Sequence, residues 1–425
     1  MENKNYKPRL IDDKVAKYLH IFGAISIEGP KWCGKTWTSL KFAESVSYLS
    51  DEKIRAIANT NPTYIFEEKR PQLIDEWQLA PCVWDAVRHE CDMTTEKGNF
   101  ILTGSTTLEK DDEEKVKHSG AGRIATLKMY PMSLYESGDS CGKISILDMY
   151  ENKNINDKVE YNDLEKTAYL ILRGGWPANI GIDYEDASVI PESYITAFLT
   201  KDIHERKDKR RDSNRMQMIL RSLARNESSL ASQNTILEDI ADNNSKEIIE
   251  NRITLTDYLS VLDDLYLTNN QVAYSVNYRS SSRVGKTSKR HFIDPSLACA
   301  ILGLSSKKLM YDMKTFGFMF ESLVYRDLCI YMNYLDGKVY HFRDNVSGDE
   351  VDAILEFKDG AIGAVEIKLN YDEVSIASAK KSLLTFSENS KVKPQFLCII
   401  VSGFGGVYKD EETGIYILPI NALKP

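Results

Sequence analysis

At 425 residues, 42% of them apolar and 28% charged, the chain has the balance of an ordinary globular protein, and its length calls for two or three domains. A net charge of −9 excludes a globally basic nucleic-acid coat protein, while leaving room for a local basic surface. Seven cysteines without a CxxC pair, and six histidines without HExxH or HxH, point away from a disulfide framework, a zinc site and histidine-based metal chemistry. No run approaches the roughly 20 apolar residues of a membrane span, and the polar opening shows no secretory segment, so a cytoplasmic protein without a membrane partner is expected.

The first 150 residues alternate apolar runs with helical patterns, which reads as α/β, with strands expected at 21–28, 73–75, 99–103 and 123–129. The polar stretch 151–163 reads as a linker or exposed loop. Residues 164–225 read as mostly helical, broken at Gly174-Gly175-Trp176-Pro177. Two helical segments then lead to a helix over 254–267, with Leu255, Leu259, Leu262 and Tyr266 on one face. β-like segments at 271–276 and 290–293, joined by a polar loop, suggest the hairpin of a winged helix. The remainder reads as a helix at 315–334, strands at 338–342, 350–357 and 361–369, a helix at 373–386 and a strand at 395–401.

Gly29-Pro30-Lys31-Trp32-Cys33-Gly34-Lys35-Thr36 fits GxxxxGK[ST], with an apolar strand before it and a helical pattern after it. Phosphates need several converging backbone N–H groups, and glycines let the loop bend that tightly. Lys35 is expected on the β- and γ-phosphates of ATP, and Thr36 on Mg²⁺. Asp75, ending a second strand, is placed to hold the magnesium, and Glu76 to polarise the attacking water. Thr103 and Ser105 end a third strand, where a hydroxyl can sense the γ-phosphate. These features resemble AAA+ ATPases, and more closely the bacterial and archaeal ATPases that join an AAA-type domain to a C-terminal domain of unknown function. The resemblance rests on GPKWCGKT, LIDEWQ, ILTGST, GRIATLKMYPMSLYE, GGWP, TAFLTKDI, FIDPSLA and FGFMFESLV, and it spans nearly the whole chain. It implies that Lys35, Thr36, Asp75 and Glu76 are the nucleotide and hydrolysis residues, and it places Arg123 where the family carries an arginine. Trp32 and Cys33 are bulkier than is usual inside such a loop, which backbone-mediated contacts tolerate.

The segment 278–291 carries Arg279, Arg283, Lys286, Lys289 and Arg290 and no acidic residue. As the wing of a winged helix it would lie along DNA phosphates; otherwise it is a solvated hairpin. The stretch 201–211 is also basic, but Asp202, Glu205 and Asp208 interleave with it, as on a charged helix face. Arg206, Arg210 and Arg211 are candidates for an arginine finger acting in a homo-oligomer.

Near the C-terminal end, Asp352, Glu366 and Lys368 form D–x13–ExK. Glu366 and Lys368 are two apart in a strand and share a face. A three-residue loop at Lys358-Asp359-Gly360 would pair Phe357 with Ala361 and set Asp352 against Glu366. A two-residue turn would instead set Asp352 against Ile367 and scatter the group. In the first register the two carboxylates repel unless a proton or a divalent cation sits between them; oxygen ligands suit Mg²⁺ or Mn²⁺, with Lys368 beside the ion. The element order and these residues resemble the PD-(D/E)XK, restriction-endonuclease-like fold, in which Glu321 would be an additional acidic residue.

The expected architecture is a multidomain α/β protein. It comprises a P-loop AAA-type parallel-sheet domain at 1–150, a linker and helical connector at 151–227, a winged helix at 228–304 and a nuclease-like α/β domain at 305–425. Two functions are consistent with it. One is an ATPase acting on nucleic acid with a metal-dependent nuclease, catalysed by Glu76 in one domain and by Asp352, Glu366, Lys368 and Glu321 in the other. The alternative is a nucleotide-dependent switch whose nuclease-like domain is inactive and recognises a protein or DNA.

Overall fold

The structure, a computed structural model, describes residues 6–107, 116, 118–203, 212–241, 252–275, 287–344 and 348–425. The chain divides into two compact units. The first comprises 1–131, 201–211 and 259–267; the second comprises 132–200, 212–258 and 268–425.

Among the described residues the first unit contains a five-stranded sheet of β1 (Ala24–Glu28), β2 (Ser45–Tyr48), β3 (Gln72–Asp75), β4 (Phe100–Gly104) and β5 (Ile124–Lys128). Its order is β2-β3-β4-β1-β5, and every pairing is parallel. Ile25, Ile27, Leu73 and Ile101 are buried on one face, and Ala24, Ile74, Leu102 and Phe100 on the other. Burial on both faces explains why these strands read as continuous apolar runs rather than alternating ones. β4 lies between β1 and β3, so the C-terminal ends of β1, β3 and β4 share one edge, where open α/β sheets bind ligands.

The second unit contains a mixed sheet. Its strands are β7 (Asn156–Lys158), β8 (Lys338–Arg343), β9 (Glu350–Glu356), β10 (Ile362–Lys368), β11 (Phe396–Val401), β12 (Gly406–Lys409) and β13 (Tyr416–Pro419), in the order β7-β12-β13-β11-β10-β9-β8. The helices Met313–Tyr334 and Glu373–Asn389 bear on it. A separate pair joins β6 (Ile144–Ser145) to β14 (Leu423–Lys424) in parallel. These pairings of β6 and β7 place residues beyond Pro131 in the second unit, earlier than the expected boundary at 150. The stretch expected as a linker therefore supplies an edge strand.

A buried ion cluster ties together several of the motifs. Arg326 donates to Asp294 Oδ2 at 2.8 Å and to Asp327 Oδ1 at 2.7 and 3.0 Å. Asp294 also accepts the Gly175 amide at 2.9 Å, and Asp327 that of Leu134 at 2.9 Å. Trp176 Nε1 donates to Ser296 Oγ at 3.0 Å. The GGWP, IDPS and YRD segments thus satisfy one another's buried polar groups.

Among the described residues the expected winged-helix hairpin shows isolated antiparallel bridges, Gln271↔Lys289 and Thr268↔Phe292. Ala273 pairs instead with His341 of β8. The helix preceding it is Arg252–Asp264, and Tyr266 lies outside it, at φ 55°. No helix among the described residues is long and apolar enough to cross a membrane.

Candidate functional site

The loop Gly29–Gly34 leaves β1 and enters the helix Lys35–Phe42, whose N-cap is Gly34 at φ 105°. Such a backbone favours glycine. Gly29 is required for a different reason: a Cβ there would lie 2.1 Å from the Met129 carbonyl oxygen. Trp32 also adopts a left-handed backbone, at φ 65°. Lys35 is buried and donates to the carbonyls of Gly29 at 3.0 Å and Pro30 at 2.9 Å. Lys31 is engaged elsewhere, in an ion pair with Asp202 at 2.7 Å. Cys33 is buried, and its carbonyl accepts from Arg9 Nη1 at 2.7 Å.

At the ends of β3 and β4 an acidic pair is held by hydroxyls. Asp75 Oδ1 accepts from Thr36 Oγ1 at 2.8 Å and from Thr103 Oγ1 at 2.7 Å. Burial raises the Asp75 carboxyl above its usual range, against the two hydroxyl hydrogen bonds that stabilise its charged form. Glu76 sits in the left-handed region at φ 57°, an uncommon conformation for a residue with a Cβ. Its amide donates to Thr103 Oγ1 at 3.0 Å, and its Oε2 accepts from Ser105 Oγ at 2.7 Å and from Gln78 Nε2. Thr103 and Ser105 therefore serve as struts for Asp75 and Glu76 here. Thr36 Oγ1 and Asp75 Oδ1 are hard oxygen donors 2.8 Å apart, close to the roughly 3 Å between neighbouring oxygens around Mg²⁺, so this pair fits that ion.

Arg123 is not part of this group. It precedes β5, whose Ile124 pairs with Ala24 at the far end of β1 from the loop. It lies five residues before Lys128, the partner of Glu28, or roughly 16 Å along the strand. There Arg123 Nε bonds Asp92 Oδ1 at 2.7 Å. The finger candidates Arg206, Arg210 and Arg211 lie outside the described residues.

In the second unit the β9–β10 hairpin has the register of the three-residue loop. Gly360 is left-handed at φ 87°, the Phe357 amide donates to the Ala361 carbonyl at 2.9 Å, and pairs run from Glu356↔Ile362 to Ala353↔Val365. Continued by one residue, this sets Asp352 against Glu366. Lys368 Nζ lies 2.7 Å from Glu366 Oε2 and 3.9 Å from Asp352 Oδ2. Asp352 Oδ2 also accepts the Ile367 amide at 2.9 Å.

The cation facing this group is a lysine. Lys289 Nζ lies 2.8 Å from Glu321, 3.3 Å from Glu350 and 3.4 Å from Asp352 Oδ1. Burial alone would lower its pKa, but Glu321, Asp352 and Glu350 outweigh burial and raise it, so the ammonium is retained. Burial and the Asp352 charge push Glu321 up to about 7 and Glu366 up to about 8. Among the described residues no three His, Cys, Asp or Glu side chains are placed to hold a metal ion. At the expected cation position the Lys289 ammonium lies 3.4 Å from Asp352 Oδ1 and the Lys368 ammonium 2.7 Å from Glu366 Oε2. Two basic residues of the expected phosphate-contacting wing are described. Lys289 is 2% exposed, and Arg290 Nε donates to the Ala231 carbonyl at 3.0 Å; Arg283 and Lys286 lie outside the described residues.

Residues 22–138 match the model of the AAA domain. Residues 164–308 and 316–423 match two domains of unknown function, DUF8612 and DUF4143. A Walker-type ATPase of Pyrococcus abyssi is similar at 13% identity, over 68% of this chain and 94% of that one, with a TM-score of 0.41. The FIGL-1 AAA domain in complex with ADP is similar at 11% identity, over 61% and 85%, with a TM-score of 0.22. A Vibrio cholerae protein, VC1899, is similar at 10% identity, over 94% of each chain, with a TM-score of 0.20. No curated protein matches. The assignment of an AAA-type P-loop domain rests on the family match together with the loop geometry.

The AAA-type domain also uses residues that no motif marks. Arg9 is buried and spans the Cys33 carbonyl at 2.7 Å and the Tyr130 carbonyl at 2.8 Å, bracing the phosphate loop from the chain's opening segment. Asp12 receives the Arg9 amide at 3.1 Å and the Tyr6 hydroxyl at 2.6 Å, and pairs with Lys41 at 2.8 Å.

Proposed function

We propose that the AAA-type domain binds ATP with Mg²⁺ and hydrolyses it, and that the second unit serves this switch by recognising a partner, protein or DNA, rather than by cutting it. One observation carries the hydrolysis reading: Lys35, Thr36, Asp75 and Glu76 lie at the C-terminal edge of a parallel sheet, with left-handed Glu76 bonded by Thr103 at its amide and by Ser105 at its carboxylate. On ATP binding, Lys35 would exchange its two loop carbonyls for phosphate oxygens, alongside the N–H groups at the helix start. Mg²⁺, when bound by Thr36 and Asp75, supplies charge neutralisation at the phosphates. Glu76 accepts a proton from the attacking water, with Oε2 anchored so that the carboxylate does not turn away.

The binding-module reading of the second unit is supported by Lys289, whose ammonium faces Glu321, Glu350 and Asp352 where hydrolysis of a phosphodiester would need a metal. Nucleotide binding and phosphate release, measured separately, test the first reading. Lys35→Ala is expected to lose most ATP affinity; Glu76→Gln is expected to bind ATP and lose about 100-fold in turnover. Wild-type turnover in Glu76→Gln would refute the base assignment. Mn²⁺-dependent cleavage of DNA that is lost in Asp352→Ala would refute the binding-module reading.

A further inference from the structure

Glu76 is oriented by more than its strand. Both side-chain hydrogen bonds it receives, from Ser105 Oγ at 2.7 Å and from Gln78 Nε2, fall on Oε2. Gln78 Nε2 also lies 3.3 Å from Ser105 Oγ, so the three side chains form one closed set. The other end of the Gln78 amide is informative. Its Oε1 is buried and has no hydrogen-bond partner among the described residues. Leaving a buried acceptor unsatisfied is unfavourable, and native proteins rarely do so without a reason. Here the reason is the opposite end of the same group. Flipping the amide would turn a carbonyl oxygen against the Glu76 carboxylate. The turn that brings Gln78 back is itself fixed: Trp77–Leu79 is a short 3₁₀ segment that begins at left-handed Glu76. It packs beside Gly104, where a Cβ would come within 3.2 Å of Trp77 Nε1 and 3.4 Å of Gln78 Oε1.

We propose that Gln78 is a positioning residue for ATP hydrolysis: with Ser105 it binds Glu76 Oε2, so that Oε1 is the oxygen presented to the attacking water. This rests on the hydrolysis reading above. The bonds to Oε2 fix the carboxylate plane, and Oε1 takes the proton as water oxygen bonds to phosphorus and the bond to the leaving ADP oxygen breaks. In this role Gln78 acts through Glu76 rather than on water or phosphate, so its removal is expected to lower turnover and leave nucleotide affinity unchanged.

The experiment uses the full chain and measures ATP affinity with a non-hydrolysable analogue and kcat by phosphate release. Gln78→Met keeps the shape of the side chain and removes its donor. It is expected to lower kcat by about 10-fold or more, since small misplacements of a catalytic group are that consequential, while affinity stays within about twofold. Gln78→Lys, which retains donors, is expected to keep more activity than Gln78→Met. Turnover lost in Glu76→Gln but kept in Gln78→Met overturns the Gln78 assignment alone. An equal loss of affinity and turnover in Gln78→Met overturns it too, because that is the mark of a packing role. A wild-type chain that binds ATP without turning it over removes the hydrolysis reading and this inference together.

Discussion

Replacing Lys289 by Met would withdraw a buried cation shared by Glu321, Glu350 and Asp352, at 2.8, 3.3 and 3.4 Å. Glu350 is 38% exposed, so water screens its share; the consequence falls on Glu321 and Asp352, whose side chains are 15% and 12% exposed. Removing one partner of a buried ion pair destabilises by about 3–5 kcal/mol. The protein can escape part of this by protonating a carboxylate. At pH 8, taking up a proton against an ordinary glutamate pKa of about 4.3 costs about 5 kcal/mol, and at pH 5.5 about 1.6 kcal/mol. The penalty is therefore about 3–5 kcal/mol at pH 8 and falls below about 2 kcal/mol at pH 5.5. The sign follows from linkage. Glu321 and Glu366 have raised folded-state pKa values, about 7 and about 8, so between pH 4.5 and 8 the folded unit binds more protons than the unfolded chain. Their contribution is favourable at the low end of that window and is lost as pH rises, more steeply in Lys289→Met. Hydrogen exchange read on peptides from β9 and β10 would measure this, because two units need not unfold as one. Equal protection of wild type and variant at pH 8, or a penalty that grows as pH falls, would refute the reasoning.

Arg9→Met removes both carbonyl contacts that brace the phosphate loop, and is expected to weaken ATP affinity by about 10-fold; titration with a fluorescent ATP analogue checks it. Arg326→Met leaves Asp294 and Asp327 buried without their cation and should destabilise the second unit by about 3–5 kcal/mol, read as lost exchange protection around 164–176 and 313–334. AAA-type sites often take an arginine from a neighbouring copy, so light scattering is expected to show self-association in ATP. A strict monomer with full ATPase activity would count against it.

The phosphate loop was legible because its chemistry is local: glycines, a lysine and a threonine at fixed spacing between a strand and a helix. The β9–β10 register was legible because loop length and Gly360 set it, and one face gathers the polar residues. Glu350 and Asp352 are two apart in β9, which begins at Glu350, so both lie on one face. Lys289 was misread because it follows a basic, polar stretch, and nothing in that stretch reports that Glu321 and Asp352, far along the chain, require a partner. Arg123 rested on the resemblance alone, yet strand direction bears on it: a residue preceding a parallel strand lies at the edge opposite the ligand. β7, with three exposed residues and no apolar alternation, offered no periodic signal. Arg9 carries none either, since a lone arginine ahead of a helix has many uses.

The five tryptophans divide by environment in a way that makes the protein its own optical probe. Trp32, inside the phosphate loop, and Trp37, the third residue of the helix that follows, are 48% and 54% exposed. Trp77 and Trp84 are buried against each other at 4.6 Å, and Trp176 is wholly buried beside Tyr194. An aqueous quencher such as acrylamide will reach the first two and leave the blue-shifted emission of the other three. Light emitted from the red side of the spectrum then comes from Trp32 and Trp37, at the phosphate loop and the start of its helix, and their accessibility can be followed as nucleotide is added, without attaching a dye.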